Sequence, residues 1–162
     1  MSTQIRGLID RLQAQSAMER SAAADELMHM GKHADAAAVA LVRACGDDSE
    51  EVRECAIAAL EGMGPPREED ISHFVELLRD DQSAVGYWAA TLLGRLTERA
   101  TPAVSSLASG LGDAHSDTVR ERCAWALGEI GPGASNAVLA LQSVSSGDSR
   151  LSRLASRALD QI

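Results

Sequence analysis

The chain has 162 residues, 45% of them hydrophobic and only four aromatic, and its 24 acidic against 15 basic residues give a formal net charge of −9. That length and apolar content can bury a substantial core, while no run of about 18 apolar residues and no leader-like N-terminal stretch occurs, so neither a membrane span nor secretion is expected. The acidity argues against a protein whose main work is gripping phosphate backbones, and Cys45, Cys55 and Cys123 offer neither a disulfide framework nor a CxxC pair, so a reducing, cytoplasmic setting is expected.

Taken in order, apolar residues at Ile5, Leu8, Ile9 and Leu12 follow the i, i+3, i+4, i+7 spacing of one helix face and predict a first helix, A. Glu19 to Gly31 (ERSAAADELMHMG) predicts a second, B, with Ser16 as its cap, Glu19 closing a capping box and Gly31 as its stop. The pattern then recurs. Ala38, Leu41, Val42 and Cys45 precede Val52 to Gly64 (VRECAIAALEGMG), capped by Asp48 or Ser49 and ended by Gly64-Pro65-Pro66. Ile71, Phe74, Val75 and Leu78 precede Val85 to Thr97 (VGYWAATLLGRLT), with Asp81 as cap.

Thr101-Pro102 places a cap and a first-turn proline before Val104, Leu107, Ala108 and Leu111, and Val119 to Gly131 (VRERCAWALGEIG) follows from Ser116. The last copy starts on pattern at Val138 and Leu141, turns polar at Gln142 and Ser145, and ends in Leu151 to Ile162 (LSRLASRALDQI). The B segments align without gaps at spacings of 33, 33, 34 and 32 residues. Leucine recurs at their ninth position (27, 60, 93, 127 and 159), a small residue at the fifth (Ala23, Ala56, Ala89, Cys123 and Ala155), and Met30, Met63, Leu96, Ile130 and Ile162 stand at the twelfth. A helical pair of this size cannot bury its apolar face alone, so neighbouring pairs must stack.

These B segments resemble the VR-x-x-A-x-x-A-L-G-x-I-G signature of HEAT repeats, in the short form also seen in phycobilin lyases, and 119–131 matches it best. The resemblance implies an all-α fold: a right-handed α-α superhelix (α-solenoid) of five HEAT-like helical hairpins, about ten antiparallel helices, as a single domain over 1–162. Its repeats run approximately 1–31, 32–64, 65–97, 98–131 and 132–162. It also implies that the second-position arginines Arg20, Arg53 and Arg120 join a ladder with acids of the preceding turns, for which Asp47, Asp48, Asp80, Asp81 and Asp113 are placed. A repeat fold of this kind does not by itself specify a task.

Known chemistries find little footing. No catalytic residue, metal site or cofactor is expected: the sequence has no GxSxG elbow, phosphate-binding glycine loop, HExxH pair or Rossmann fingerprint. His29 and His33 are four apart, yet Gly31 puts His33 beyond the helix. The HEAT-like deoxyhypusine hydroxylases bind iron through His-Glu dipeptides, whereas here His29, His33, His73 and His115 are followed by Met30, Ala34, Phe74 and Ser116.

What remains is a surface. Positions three, seven and ten of each B helix point away from helix A, and in HEAT-type stacks B helices line the concave side. The row reads Ser21, Asp25 and Met28; Glu54, Ala58 and Glu61; Tyr87, Thr91 and Gly94; Glu121, Trp125 and Gly128; then Arg153, Arg157 and Asp160. Residues 1 to 81 hold 17 acids and 8 bases while 82 to 162 hold 7 of each, so the row runs from acidic through aromatic to basic. Tyr87, Trp88, Thr91, Arg95, Arg122 and Trp125, flanked by Glu54 and Glu61 on one side and Arg153 and Arg157 on the other, form the expected partner-binding set, because aromatics and arginines carry most interface energy.

The expected function is accordingly a non-catalytic protein-protein interaction scaffold that takes a protein or peptide partner along the concave B-helix surface. Two alternatives come from resemblance: a phycobilin-lyase-like accessory or chromophore-binding protein, and a DNA-binding relative of the HEAT-like alkylpurine glycosylases, against which the acidic first half speaks. The exposed end of the last hairpin leaves two options, a thin cap or a face for weak self-association through the C-terminal repeat.

Overall fold

A computed structural model describes residues 2–112 and 115–162, so the ladder acid expected at Asp113 lies outside the described residues. The chain divides into two compact units, Met1–Arg67 and Glu68–Ile162. Among the described residues there is helix and turn and no strand.

Unit one contains α1 (Thr3–Arg11), α2 (Ala17–Met30), α3 (Ala38–Ala44) and α4 (Glu50–Gly62), and unit two α5 (Ile71–Leu77), α6 (Ser83–Arg95), α7 (Val104–Ser109), α8 (Asp117–Ile130), α9 (Val138–Val144) and α10 (Arg150–Gln161). The even-numbered elements are the B helices. In unit one α1 packs on α2, α3 on α4 and α2 on α4; in unit two α6, α8 and α10 pack in series, with α5, α7 and α9 behind them.

The repeat positions explain this packing. Every fifth-position residue, Ala23, Ala56, Ala89, Cys123 and Ala155, is completely buried, since a small side chain is what lets neighbouring helices approach. Leu27, Leu60, Leu93 and Leu127 are equally inaccessible, whereas Leu159 is only half-buried and Ala158 lies inside in its place. The reason is position: α10 has a packed hairpin on one side only among the described residues.

The A segments are not simple helices. Before α3, α5, α7 and α9 the chain runs through 3-10 stretches at Gly31–Ala37, Glu68–Asp70, Thr97–Ala103 and Gly131–Ala137, so the α-helical portions are only six or seven residues long. Pro102, expected in the first turn of an α-helix, sits inside the third of these stretches, where its missing N–H interrupts no i to i−4 ladder. Gly31 and Gly131 end α2 and α8 with φ of 53° and 68°. Thr97 occupies the same repeat position with φ 54°, a left-handed backbone that a β-branched residue rarely adopts.

The capping expectations hold in place more than in bonding. Ser16, Ser49 and Ser116 are the N-caps of α2, α4 and α8 but accept no side-chain cap bond; Gln82, not Asp81, caps α6. Loop carbonyls are instead gathered by arginine. Arg20 donates to the carbonyls of Ala14 and Gln15 at 2.9 and 3.0 Å, and Arg53 to those of Asp47 and Asp48 at 2.7 and 3.0 Å. Arg20 also pairs with Asp47 through two bonds of 2.7 and 2.8 Å, reaching forward to the next hairpin's turn rather than back to its own. Arg120 bonds the Leu111 carbonyl at 2.9 Å and Asp117 at 3.2 Å.

Candidate functional site

Unit two contains all four aromatic residues of the chain, and three of them meet where α6, α8 and α10 pack. Their arrangement follows from helix register. Tyr87 on α6 and Trp125 on α8 are half-buried, and Arg122, one turn before Trp125, places its guanidinium carbon 4.4 Å from the Tyr87 ring centre and 4.9 Å from that of Trp125. The cation is thus held by two π faces. Arg122 Nη2 also donates to the Tyr87 hydroxyl oxygen.

Trp88 lies beneath this layer. It is only 7% exposed, meets Tyr87 edge-on with ring centres 5.7 Å apart at 84°, and carries the Arg95 guanidinium 5.7 Å from its own ring centre. Thr91, expected to face outward, is 5% exposed and donates its hydroxyl to the Tyr87 carbonyl at 2.7 Å. Trp88 and Thr91 therefore support the site and do not present it.

The same geometry corrects the idea of one open row. The tenth-position glycines are packing devices: a Cβ added at Gly94 would fall on the Trp125 ring, 3.0 Å from Cε3, and one at Gly128 would sit 3.2 Å from Ala158 Cα. In unit two, α8 and α10 cover much of what helical arithmetic on a single helix leaves exposed. Ser21 in unit one is buried as well.

What stays open is a cavity of about 160 Å³ lined by Tyr87, Thr118, Glu121, Arg122, Trp125, Arg150 and Leu154. Glu121, with its side chain 20% exposed, pairs with Arg150, 71% exposed, at 3.3 Å. Thr118, Arg150 and Leu154 were not among the residues expected from sequence; only the register of α8 against α10 brings them here. Arg153 and Arg157 are exposed on α10, with Arg153 bonding the Asp148 carbonyl, and Glu54 and Glu61 are exposed on α4 in unit one. Those two acids belong to a different unit from the aromatic cluster.

The cysteines have the environment of packing residues. Burial pushes the Cys45 and Cys123 thiols up to about 12, so neither carries an appreciable thiolate at neutral pH. Cys55 is half-buried and shifted the same way, chiefly by burial, with neighbouring acids adding to it. His29 is exposed on α2 and contacts the Asp25 carbonyl at 2.9 Å. No helix is long and apolar enough to cross a membrane among the described residues.

Comparison with known proteins agrees with this architecture. The pattern of HEAT repeats matches residues 5–93, more than half of the chain, and that of the PBS lyase HEAT-like repeat matches 119–147. No curated protein matches the sequence. Among solved structures, an engineered protein is 24% identical with a TM-score of 0.63, covering 97% of this chain and 78% of its own. The complex of CpcE and CpcF of phycocyanin lyase from Nostoc sp. PCC7120 is 25% identical with a TM-score of 0.65; the match covers 99% of this chain but 65% of that one. A designed armadillo repeat protein in complex with the peptide (KR)4 is 20% identical with a TM-score of 0.62, over 97% of this chain and 80% of that one. The repeat periodicity, the helical hairpins and the match over residues 5–93 together establish that the chain belongs to the HEAT-repeat family.

Proposed function

We propose that the protein is a non-catalytic interaction scaffold that receives a protein or peptide partner on the α6, α8 and α10 face of unit two. The observation that carries this reading is the half-open cluster of Tyr87, Arg122 and Trp125 beside a cavity, in a sequence with only four aromatics. Rigid aromatic and arginine side chains at a partly covered pocket supply contact area at low entropic cost. The relatives fit this use: one solved neighbour is an assembly of two proteins and another holds a peptide.

A lyase-related accessory role is the second reading, favoured by the PBS lyase HEAT-like match at 119–147. In that case the protein acts through a protein partner. The cavity beside Tyr87 and Trp125, about 160 Å³, is well below the roughly 300–1,000 Å³ of pockets that enclose drug-sized ligands, so it would not itself enclose a tetrapyrrole.

Selection of an unbiased displayed-peptide library against the whole chain tests the scaffold reading. Binders that lose affinity for a Tyr87→Ala variant of unchanged melting temperature support it. Failure to select any binder, or selection of binders indifferent to Tyr87, Arg122 and Arg150, counts against it.

A further inference from the structure

Resting on the scaffold reading, we infer that the cavity on α8 and α10 is a carboxylate-binding subsite, built around Arg122, for an acidic side chain of a peptide partner. Arg122 carries an unbalanced charge. Arg122 is half-buried, yet among the described residues no acidic side chain lies within ion-pairing distance of it. Its nearest carboxylate along the chain, Glu121, is engaged by Arg150. Of the five N–H donors of a guanidinium, one is used by the Tyr87 hydroxyl, and the two rings attract the cation by its charge while accepting no in-plane hydrogen bond.

A clamped guanidinium is pre-organised. Contacts with the Tyr87 and Trp125 rings and the bond to the Tyr87 hydroxyl restrain it, so binding an anion costs less side-chain entropy, and a guanidinium fork matches a planar carboxylate with two parallel bonds. The cavity beside it adds the Thr118 hydroxyl, the exposed Arg150 and, at Leu154, an apolar wall for the methylene groups of an Asp or Glu. Counting its charged lining, two arginines and one glutamate, the pocket is net positive in a chain of net charge −9. Arg153 and Arg157 extend that sign along α10. Such a local reversal attracts and orients an acidic segment and repels a basic one, the opposite of the (KR)4 peptide held by the designed armadillo relative.

The test uses the whole chain and three dye-labelled pools of short peptides of equal length and hydrophobicity, acidic, basic and neutral, read by anisotropy and by the combined fluorescence of Trp88 and Trp125. The acidic pool is expected to bind best. Arg122→Gln should weaken it about tenfold or more, the loss of a charge-assisted pair. Arg150→Gln serves where Arg122→Gln lowers the melting temperature: this exposed position can change without disturbing packing, and freeing Glu121 to repel the ligand should also weaken acidic binding. Preference for the basic or neutral pool, or acidic binding unchanged by both variants, overturns the carboxylate subsite while leaving the scaffold reading to its own selection experiment. Absence of binding by all three pools overturns it too; binders recovered from the unbiased library would then keep the scaffold alone.

Discussion

Units one and two are built on the same helical hairpin, yet they fill the space between B helices differently. In unit one, α2 and α4 pack together with no aromatic on either helix, and the Arg20–Asp47 pair ties one hairpin to the next turn. Unit two sets Trp125 against Gly94 and clamps Arg122 between rings. The fifth and ninth positions are alike in both units because they make the core. The seventh and tenth positions differ, and that is where a partner site can be grafted without altering the scaffold.

The largest effects should be the ones the two units share. Leu27→Ala in unit one and Leu93→Ala in unit two each remove a fully buried side chain, and each should cost about 2–5 kcal/mol in denaturant titrations. A loss below 1 kcal/mol at either site would break the claim of a common core. The units should part at the tenth position: Gly94→Ala drives a methyl into the Trp125 ring and should cost about 1–3 kcal/mol, whereas Glu61→Ala, exposed on α4, should change stability by less than about 0.5 kcal/mol.

Helix ends give a smaller contrast with opposite signs. Gly31→Ala puts a Cβ on a backbone at φ 53° and should lose about 1 kcal/mol. Thr97→Gly relieves the same conformation and, after glycine's entropic cost, should gain about 0.5–1 kcal/mol by thermal melting.

The smallest effect is set by pH. Hydrogen bonds from Arg20, assisted by the Ser49 N–H and opposed by burial, hold the Asp47 carboxyl below its ordinary value. A depressed folded-state value stabilises fully above the unfolded value, near pH 4, and the stabilisation is lost as pH falls through the folded one. Asp47→Asn should therefore lower the melting temperature at neutral pH, with the gap from wild type closing in strong acid. A gap that persists there would assign the loss to something other than the ion pair.

The repeat, the B helices and most of their buried positions were legible because periodicity reports burial on a single helix. Tyr87 and Trp125 were legible as candidates for the same reason, as the aromatic residues of the outward row, and Arg122 only as a neighbour of that row on the helix of Trp125. Thr91, Gly94 and Gly128 were misplaced because helical arithmetic on one helix ignores its neighbour, and here α8 and α10 cover them. Arg150, Thr118 and Leu154 join the pocket only through inter-helix register, which no single-helix pattern encodes. The 3-10 lead-ins escaped notice because their apolar spacing continues smoothly into each short α-helix.

Amide and indole NMR shifts of the whole chain, titrated with a selected peptide, decide whether partner binding lives in unit two. With the site in unit two, the Trp125 indole and residues 118–125 and 150–154 should move first and furthest while α2 and α4 stay still. Shifts confined to α2 and α4, with the Trp125 indole unmoved, would contradict it.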